Sequence, residues 1–494
     1  MQPSLSPDRF RELAGKFNVV PLAVVVLGDV LTPVSVFDQL VGEGDGFLLE
    51  SVEGGERWGR WSFIGWDPEF TLSAFDGVSS SSNPAMVLPG GDPLSVLESV
   101  VETFSVPPWE DLGIPGPPPP LHSGAVGYLG YDMVRYVESL PNRPPDDRGL
   151  PEMLWQFAGG LAVFDRLANT ITVIENVYVT DDPASDYDAA IASLERAVAA
   201  LQSGPAVTLG YMPDFVDTPK TTQTMGRDEF MAVVDRAKVK IIDGEVFQVV
   251  PSIRFTAEFG GDAFAVYRAL RLVNPSPFMF LLRSGGVSVA GSSPELMSRV
   301  RDGRVYSRPI AGTMPRGSTE EEDQAFEEEL LANPKERAEH VMLIDLARND
   351  IGRVCQFGTV AVDDVMVIER YSHVMHIVSG VSGDLVEGVG PIDVLRATFP
   401  HGTVSGAPKV SAMEIIDELE SVARGPYAGA VGYIDFSGNF DTAIALRTAV
   451  MDGTTAWVQA GAGIVADSDP ASEYDECINK AKAVLTAIAA ADHL

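Results

Sequence analysis

Pro334-Lys335-Glu336-Arg337-Ala338-Glu339-His340-Val341-Met342-Leu343-Ile344-Asp345-Leu346-Ala347-Arg348-Asn349-Asp350 reads as one helix. Pro334 supplies its start, and Val341, Leu343, Ile344 and Leu346 form an interrupted apolar stripe. Glu336 and Glu339 stand three apart, so a helix puts both carboxylates on one face. Such a pair ordinarily repels and points to solvent. Here the spacing returns in Ser472-Glu473-Tyr474-Asp475-Glu476-Cys477-Ile478-Asn479-Lys480-Ala481, at the start of a second helical pattern. Two Glu-x-x-Glu faces brought together make an oxygen-rich, anionic pocket suited to a hard cation. The pattern predicts a magnesium site with a cavity built over it.

The 494 residues, 45% of them hydrophobic, suffice for one large core or two interleaved ones. A formal charge of −35, from 35 basic and 70 acidic residues, argues against a nucleic-acid binder, whose affinity comes from cationic neutralisation of phosphates. Two cysteines, Cys355 and Cys477, exclude a disulfide framework and fit a reducing compartment. The N-terminus lacks the basic region of a signal peptide, and the apolar run Val19 to Leu27 is too short to span a bilayer. A cytoplasmic protein, not a membrane one, is expected.

Outward from the helix, residues 1 to about 15 read as a helix-prone arm. Strands are expected at Leu22–Leu27, Gly46–Val52 and Trp58–Gly65, and a surface loop from Val78 to Asp92. Ile114-Pro115-Gly116-Pro117-Pro118-Pro119-Pro120 reads as a stiff connector outside the core. Gly124-Ala125-Val126-Gly127-Tyr128 recurs as Gly429-Ala430-Val431-Gly432-Tyr433, which suggests strands where another backbone packs closely. A strand pair from Gly160 to Val179 precedes a helix from Asp182 to Gln202. A second helix, Arg227 to Ile242, carries Phe230, Val233, Val234, Ala237 and Ile241 on one stripe and ends at Gly244. Strands and helices mix without βαβ alternation, so the class is α+β with largely antiparallel sheet. No dinucleotide or P-loop fingerprint follows a strand. The Gly461-Ala462-Gly463 turn has N–H groups that could hold a carboxylate.

Four segments together carry a specific resemblance. They are Arg308-Pro309-Ile310-Ala311-Gly312-Thr313; Ala338-Glu339-His340 through Arg348-Asn349-Asp350; Gly402-Thr403-Val404-Ser405-Gly406-Ala407-Pro408-Lys409; and Gln459-Ala460-Gly461-Ala462-Gly463-Ile464-Val465 with Glu473 and Glu476. Over about residues 225 to 490 they resemble the chorismate-utilising enzyme family, and the N-terminal third resembles its anthranilate synthase large-subunit branch. The resemblance implies a two-layer sandwich of largely antiparallel sheets flanked by helices. It also implies a regulatory, tryptophan-binding region over residues 1–205 interleaved with a catalytic region over 206–494.

By that resemblance Glu339 and Glu476 are the direct magnesium ligands, with Glu336 and Glu473 holding metal-bound waters. Gly312, Thr313, Tyr427, Arg447 and the Gly461, Ala462 and Gly463 backbone would bind chorismate, a dicarboxylate. Taken alone, Arg447 in its alternating strand reads as an edge-strand charge. Glu295 matches the general acid that protonates the departing C4 hydroxyl, and His376 the histidine linked to pyruvate elimination. Without the resemblance these are a turn carboxylate and a hydrogen-bonded structural histidine.

Two positions separate the branches. Gln248 stands where water-activating relatives carry a lysine, and Ala311 where aminodeoxychorismate synthases commonly carry a nucleophilic lysine. With neither amine present, C2 of the ring is left to an external nucleophile, ammonia. Neither cysteine sits in a glutaminase-like elbow, so a separate glutamine amidotransferase subunit and an oligomeric assembly are expected. Ser51, Pro277, Phe278 and Met279 match a tryptophan feedback site, although the apolar three also suit ordinary core. The rival readings are the 4-amino-4-deoxychorismate branch and a non-catalytic tryptophan sensor.

Overall fold

The computed structural model describes residues 2–51, 59–204, 215, 217–371 and 374–494. The expected 205/206 boundary, and Val52 and Trp58 of the strands expected above, lie outside the described residues. Among those described, two eleven-stranded sheets form, and every strand pairing is antiparallel. Each sheet takes strands from both ends of the chain. In the first, Gly46–Glu50 pairs with Phe278–Ser284; in the second, Gly124–Leu129 pairs with Ala430–Asp435.

The sheets meet face to face. The Phe63 ring of the first lies 5.8 Å from the tilted Tyr433 ring of the second, inside a core that takes side chains from both. Helices Pro183–Gln202, Ala263–Val273 and Pro470–Ala490 pack on the first sheet, with Arg227–Ile242 against Pro470–Ala490, and Pro93–Glu102, Pro334–Gly352 and Pro391–Thr398 pack on the second. Apolar stripes explain the docking. Phe230, Val233, Val234 and Ala237 are buried on the Arg227 helix, and burying a phenylalanine contributes about 2 kcal/mol. The Pro334 helix is capped by Asn333, whose side chain accepts from the N–H groups of Lys335 and Glu336. Its buried face runs through His340, Leu343, Ile344, Ala347 and Ile351. Val341, expected on that face, is 47% exposed because its turn angle carries it off the line joining Ile344 and Ile351.

The recurring Gly-Ala-Val-Gly-Tyr segments are neighbouring strands, with Gly127 opposite Gly432. A Cβ at Gly127 would lie 2.1 Å from the Leu154 oxygen, and one at Gly432 2.0 Å from the Asp441 oxygen, so the close backbone approach is real at both. Pro21 is tolerated because Val19–Leu27 is an edge strand. Two expectations are corrected. The loop after Val78 begins with a short edge strand, Val78–Ser81, which its serine content disguised. The polyproline run is not outside the core, since Pro119 and Pro120 are buried and Ile114 joins the main apolar cluster.

Candidate active site

The chain crosses between the sheets at two adjacent places. Strand Val287–Ser293 belongs to the first sheet and Leu296–Arg301 to the second, so Glu295 sits at the crossing. Phe440–Ile444 and Thr448–Met451 make the return crossing, with Arg447 between them. These strands pair with one another in both sheets, which brings the crossings side by side. The Ile444 N–H donates to the Glu295 carbonyl at 3.1 Å, and the Ser292 N–H to the Arg447 carbonyl at 3.2 Å. Both side chains line one cavity of about 200 Å³, with Ala311, Thr313, His376 and Tyr427.

Burial pushes the Glu295 carboxyl up to about 8, against a smaller downward pull from the Thr403 hydroxyl, 2.8 Å from Oε1, and the Lys480 ammonium. It is therefore a protonated acid at neutral pH. Arg447 has left-handed backbone (φ 46), uncommon for a residue with a Cβ. Its Nη1 donates to the Asn274 side-chain oxygen at 3.3 Å, and among the described residues no carboxylate pairs with it. A half-buried cation so placed can receive a substrate carboxylate.

His376 lies on strand Val374–Asp384 opposite Thr313, beside a bulge at Gly312 (φ 65). The bulge turns the Gly312 carbonyl onto His376 Nδ1 at 2.8 Å, with Thr313 Oγ1 at 3.2 Å. Nδ1 donates to the carbonyl, leaving Nε2 unprotonated. Burial lowers the histidine's affinity for a second proton, as does Arg447 nearby, so the ring is a neutral base. Burial also pushes the Tyr427 phenol well up, which keeps it a neutral hydroxyl.

Gly461 and Gly463 line the cavity. Ala462 does not, and its N–H donates to the Pro251 carbonyl at 3.2 Å. The four glutamates flank this segment from two sides. Gln248 Nε2 reaches Glu339 at 3.3 Å and lies 2.8 Å from where a Gly463 Cβ would stand. Lys480 Nζ bridges Glu476, at 2.6 Å, and the Gly461 carbonyl, at 3.0 Å. Burial and then the neighbouring Glu339 raise the Glu336 carboxyl; burial chiefly raises Glu473, with Glu476 adding to it. Lys335, on the other helix, draws Glu473 down, so the two helix starts share one electrostatic field. Among the described residues, no three His, Cys, Asp or Glu side chains are gathered closely enough to hold a metal ion. The oxygen donors on the two helices fit a hard cation by their chemistry.

Lys480 corrects the expectation of an opening without lysine. It lines the cavity, one helical turn from Glu476, and its ammonium is tied between two oxygens. Its i,i+4 spacing from Glu476 was the available signal. Sequence reading also missed His401, whose imidazole lies 3.5 Å from the Glu295 carboxyl, although it immediately precedes a recognised motif.

A second cavity, of about 130 Å³, lies between the sheets. Ser51, Pro277, Phe278 and Met279 all line it, with Pro120 of the polyproline run and Tyr433. Beside it, buried Glu50 accepts hydrogen bonds from Tyr267, Arg166 and Arg271. Asn274, which holds Arg447, is three residues from Pro277, so the two cavities share a short stretch of chain.

Comparison with known proteins agrees with this architecture. The anthranilate synthase component 1 of Acetivibrio thermocellus is 45% identical over 488 residues, covering 97% of each chain. That of Mycolicibacterium smegmatis is 48% identical over 499 residues, covering 98% of this chain and 94% of its own. The crystal structure of anthranilate synthase component I from Streptococcus pneumoniae TIGR4 superposes with a TM-score of 0.77 at 35% identity, covering 93% of this chain and 99% of that one. The family model described as "chorismate binding enzyme" matches residues 46–486, which take in both crossings, both glutamate pairs and the cavity between them, and the chain belongs to that family.

Proposed function

We propose that this chain is the large, chorismate-binding subunit of an anthranilate synthase, converting chorismate and ammonia to 2-amino-2-deoxyisochorismate and then to anthranilate and pyruvate. The observation that carries the reading is the pairing, in one cavity, of a protonated Glu295 with an Arg447 that no carboxylate neutralises among the described residues. Arg447 receives a substrate carboxylate. As ammonia forms a bond to C2 and both ring double bonds shift along the ring toward C4, Glu295 gives its proton to the departing C4 hydroxyl. The added nitrogen sheds one proton, balancing the one Glu295 has lost. His376 then takes the C2 proton as the bond to the enolpyruvyl oxygen breaks, and that proton ends on the departing methylene carbon, giving pyruvate. Glu339 and Glu476, with Glu336 and Glu473 through water, would hold magnesium, which would supply template and charge stabilisation at the ring carboxylate.

An external nucleophile is supported by Ala311 on the cavity wall and by the engagement of Gln248 and Lys480 with Glu339 and Glu476. A separate glutaminase subunit is supported by the cysteines: burial pushes the Cys355 thiol up to about 11 and Cys477 to about 12, unsuited to nucleophilic attack. Among the described residues no helix is long and apolar enough to cross a membrane. Purified chain with chorismate, magnesium and ammonium is expected to produce anthranilate fluorescence. Aminodeoxychorismate without anthranilate would favour the sister branch, and tryptophan binding without chorismate consumption a sensor.

His376→Met is expected to consume chorismate while the amino intermediate accumulates, with anthranilate output falling about a hundredfold. An unchanged product profile by chromatography would remove His376 from the elimination. The second cavity is proposed to bind tryptophan as a feedback inhibitor. Ser51→Phe fills it and should raise the half-inhibitory tryptophan concentration by roughly tenfold or more. An unaltered inhibition curve would place the inhibitor elsewhere.

A further inference from the structure

Two arginines on strand Leu296–Arg301, Arg299 and Arg301, line the second cavity. They stand two apart, so the pleat turns both to one side of the sheet. The register gives them different neighbours. Arg299 lies opposite Asp441, whose Oδ2 accepts from its Nε at 2.6 Å. Arg301 lies opposite Arg304 on one side and, one pair beyond Val300 and Phe440, beside the uncharged Asn439 on the other. Arg304 is a second cation rather than a partner, and Asp384 is taken up with it at 2.7 Å. Among the described residues no carboxylate pairs with Arg301, and its buried Nε has no hydrogen-bond partner.

The other groups of the wall leave that charge unanswered. Glu50 is held by Arg166 and Arg271, at 3.0 and 2.9 Å. Burial, and then Asp441, push the Tyr433 phenol far above its ordinary value against the pull of Arg301, so it stays a neutral hydroxyl. Asp363 and Asp364 line an outer cavity that Arg301 also borders, yet neither forms an ion pair with it, and Asp363 accepts from the Ser382 hydroxyl. Arg166, Arg271, Arg299 and Arg301 therefore stand against two carboxylates, Glu50 and Asp441, in a chain with twice as many acidic as basic residues. A local surplus of cations, against the sign of the whole chain, calls for an anionic ligand. Phe63, Phe278 and Met279 make the rest of the wall apolar, which suits a ring. A carboxylate leaving water for such a place needs a charged donor, and the arginine fork presents parallel N–H groups to both its oxygens.

We propose that Arg301 binds the carboxylate of the amino acid in the second cavity, and so selects ligands that carry an acid beside an aromatic ring. This rests on the reading of that cavity as a tryptophan site, and it adds which end of the molecule the wall selects. Arg301 borders the outer cavity as well, so the acid lies at the outward end with the ring inside. A ligand of the same shape without the acid gains nothing from Arg301.

The test is a calorimetric titration of the full chain, as wild type, Arg301→Met and Arg301→Lys, with L-tryptophan and with L-tryptophanol. Tryptophanol keeps the indole and the ammonium and has a hydroxymethyl group in place of the carboxylate. Wild type should bind tryptophan at least about tenfold tighter than tryptophanol. Methionine keeps an apolar stem and removes the charge, so Arg301→Met should lose that preference. Its affinity for tryptophan should fall at least about tenfold, while tryptophanol binds no more weakly. Arg301→Lys keeps the charge without the fork and should fall between the two. The half-inhibitory tryptophan concentration in ammonium-dependent turnover should rise in the same order. A preference for tryptophan undiminished in Arg301→Met would overturn the proposal, as would equal losses for both ligands, which would mark Arg301 as packing. Wild-type chain that binds neither ligand would instead remove the second cavity as a tryptophan site, and the proposal with it.

Discussion

Glu295→Gln is expected to lower kcat for chorismate consumption by about 10² to 10⁴-fold while leaving KM nearly unchanged. Glutamine keeps the size of the side chain and an oxygen for the Thr403 hydroxyl to donate to, so the cavity keeps its shape. What it lacks is the proton for a poor leaving group. The wild-type profile should show the same group from the other side: activity falls as pH rises through about 8, where Glu295 ionises. That limb should vanish in the variant's residual activity. Stability follows with a definite sign. The folded carboxyl sits above its ordinary value of 4.5, so its contribution is fully present below the ordinary carboxylate range and is lost as pH rises toward about 8. Glu295→Gln should therefore gain thermal stability relative to wild type on the alkaline side. Turnover within about threefold of wild type across the pH range would remove Glu295 from the acid role.

Glu339→Ala, or chelation of divalent ions, is expected to cut turnover by at least about a hundredfold, with magnesium restoring the chelated wild type but not the variant. Glu339 and Glu476 stand on different helices, flanking Gly461 and Gly463 through Gln248 and Lys480. Removing either carboxylate should leave the ion held from one side only. A readout apart from activity is a calorimetric magnesium titration, in which Glu339→Ala and Glu476→Ala should each weaken binding at least about tenfold. Wild-type rates in Glu339→Ala, or activity indifferent to chelator, would remove the carboxylates from metal binding. The Lys480 ammonium now spans Glu476 and the Gly461 carbonyl, so an ion arriving there competes with it. Lys480→Met should consequently tighten magnesium binding if the ion and the lysine use the same oxygens.

Much of the molecule was legible one element at a time. The Pro334 helix announces itself by its opening proline, and the Arg227 and Pro183 helices by apolar stripes at a period of 3.6 residues. The recurring Gly-Ala-Val-Gly-Tyr segments correctly indicated strands with close backbone neighbours, but not that each was beside the other. Val78–Ser81 escaped because serines make an edge strand resemble a loop, and the prolines at 119 and 120 because composition says nothing of what covers them. Ser51 and Pro277 were named together by resemblance, while the cavity they share with Pro120 and Tyr433 needed two sheets to enclose it.

Local periodicity, then, determined the helices and the largely antiparallel α+β class, because these depend on neighbours within a few turns of chain, while most of the side chains on the cavity wall were named by the resemblance alone. Only the tertiary structure decided that two sheet crossings lie side by side, so that a turn carboxylate becomes a buried acid next to an unneutralised arginine. It also brought His401, Thr403 and Lys480 to the same place. Ionisation and hydrogen-bond direction depend on burial and on partners far away in sequence, and no pattern of residue types along the chain contains those distances.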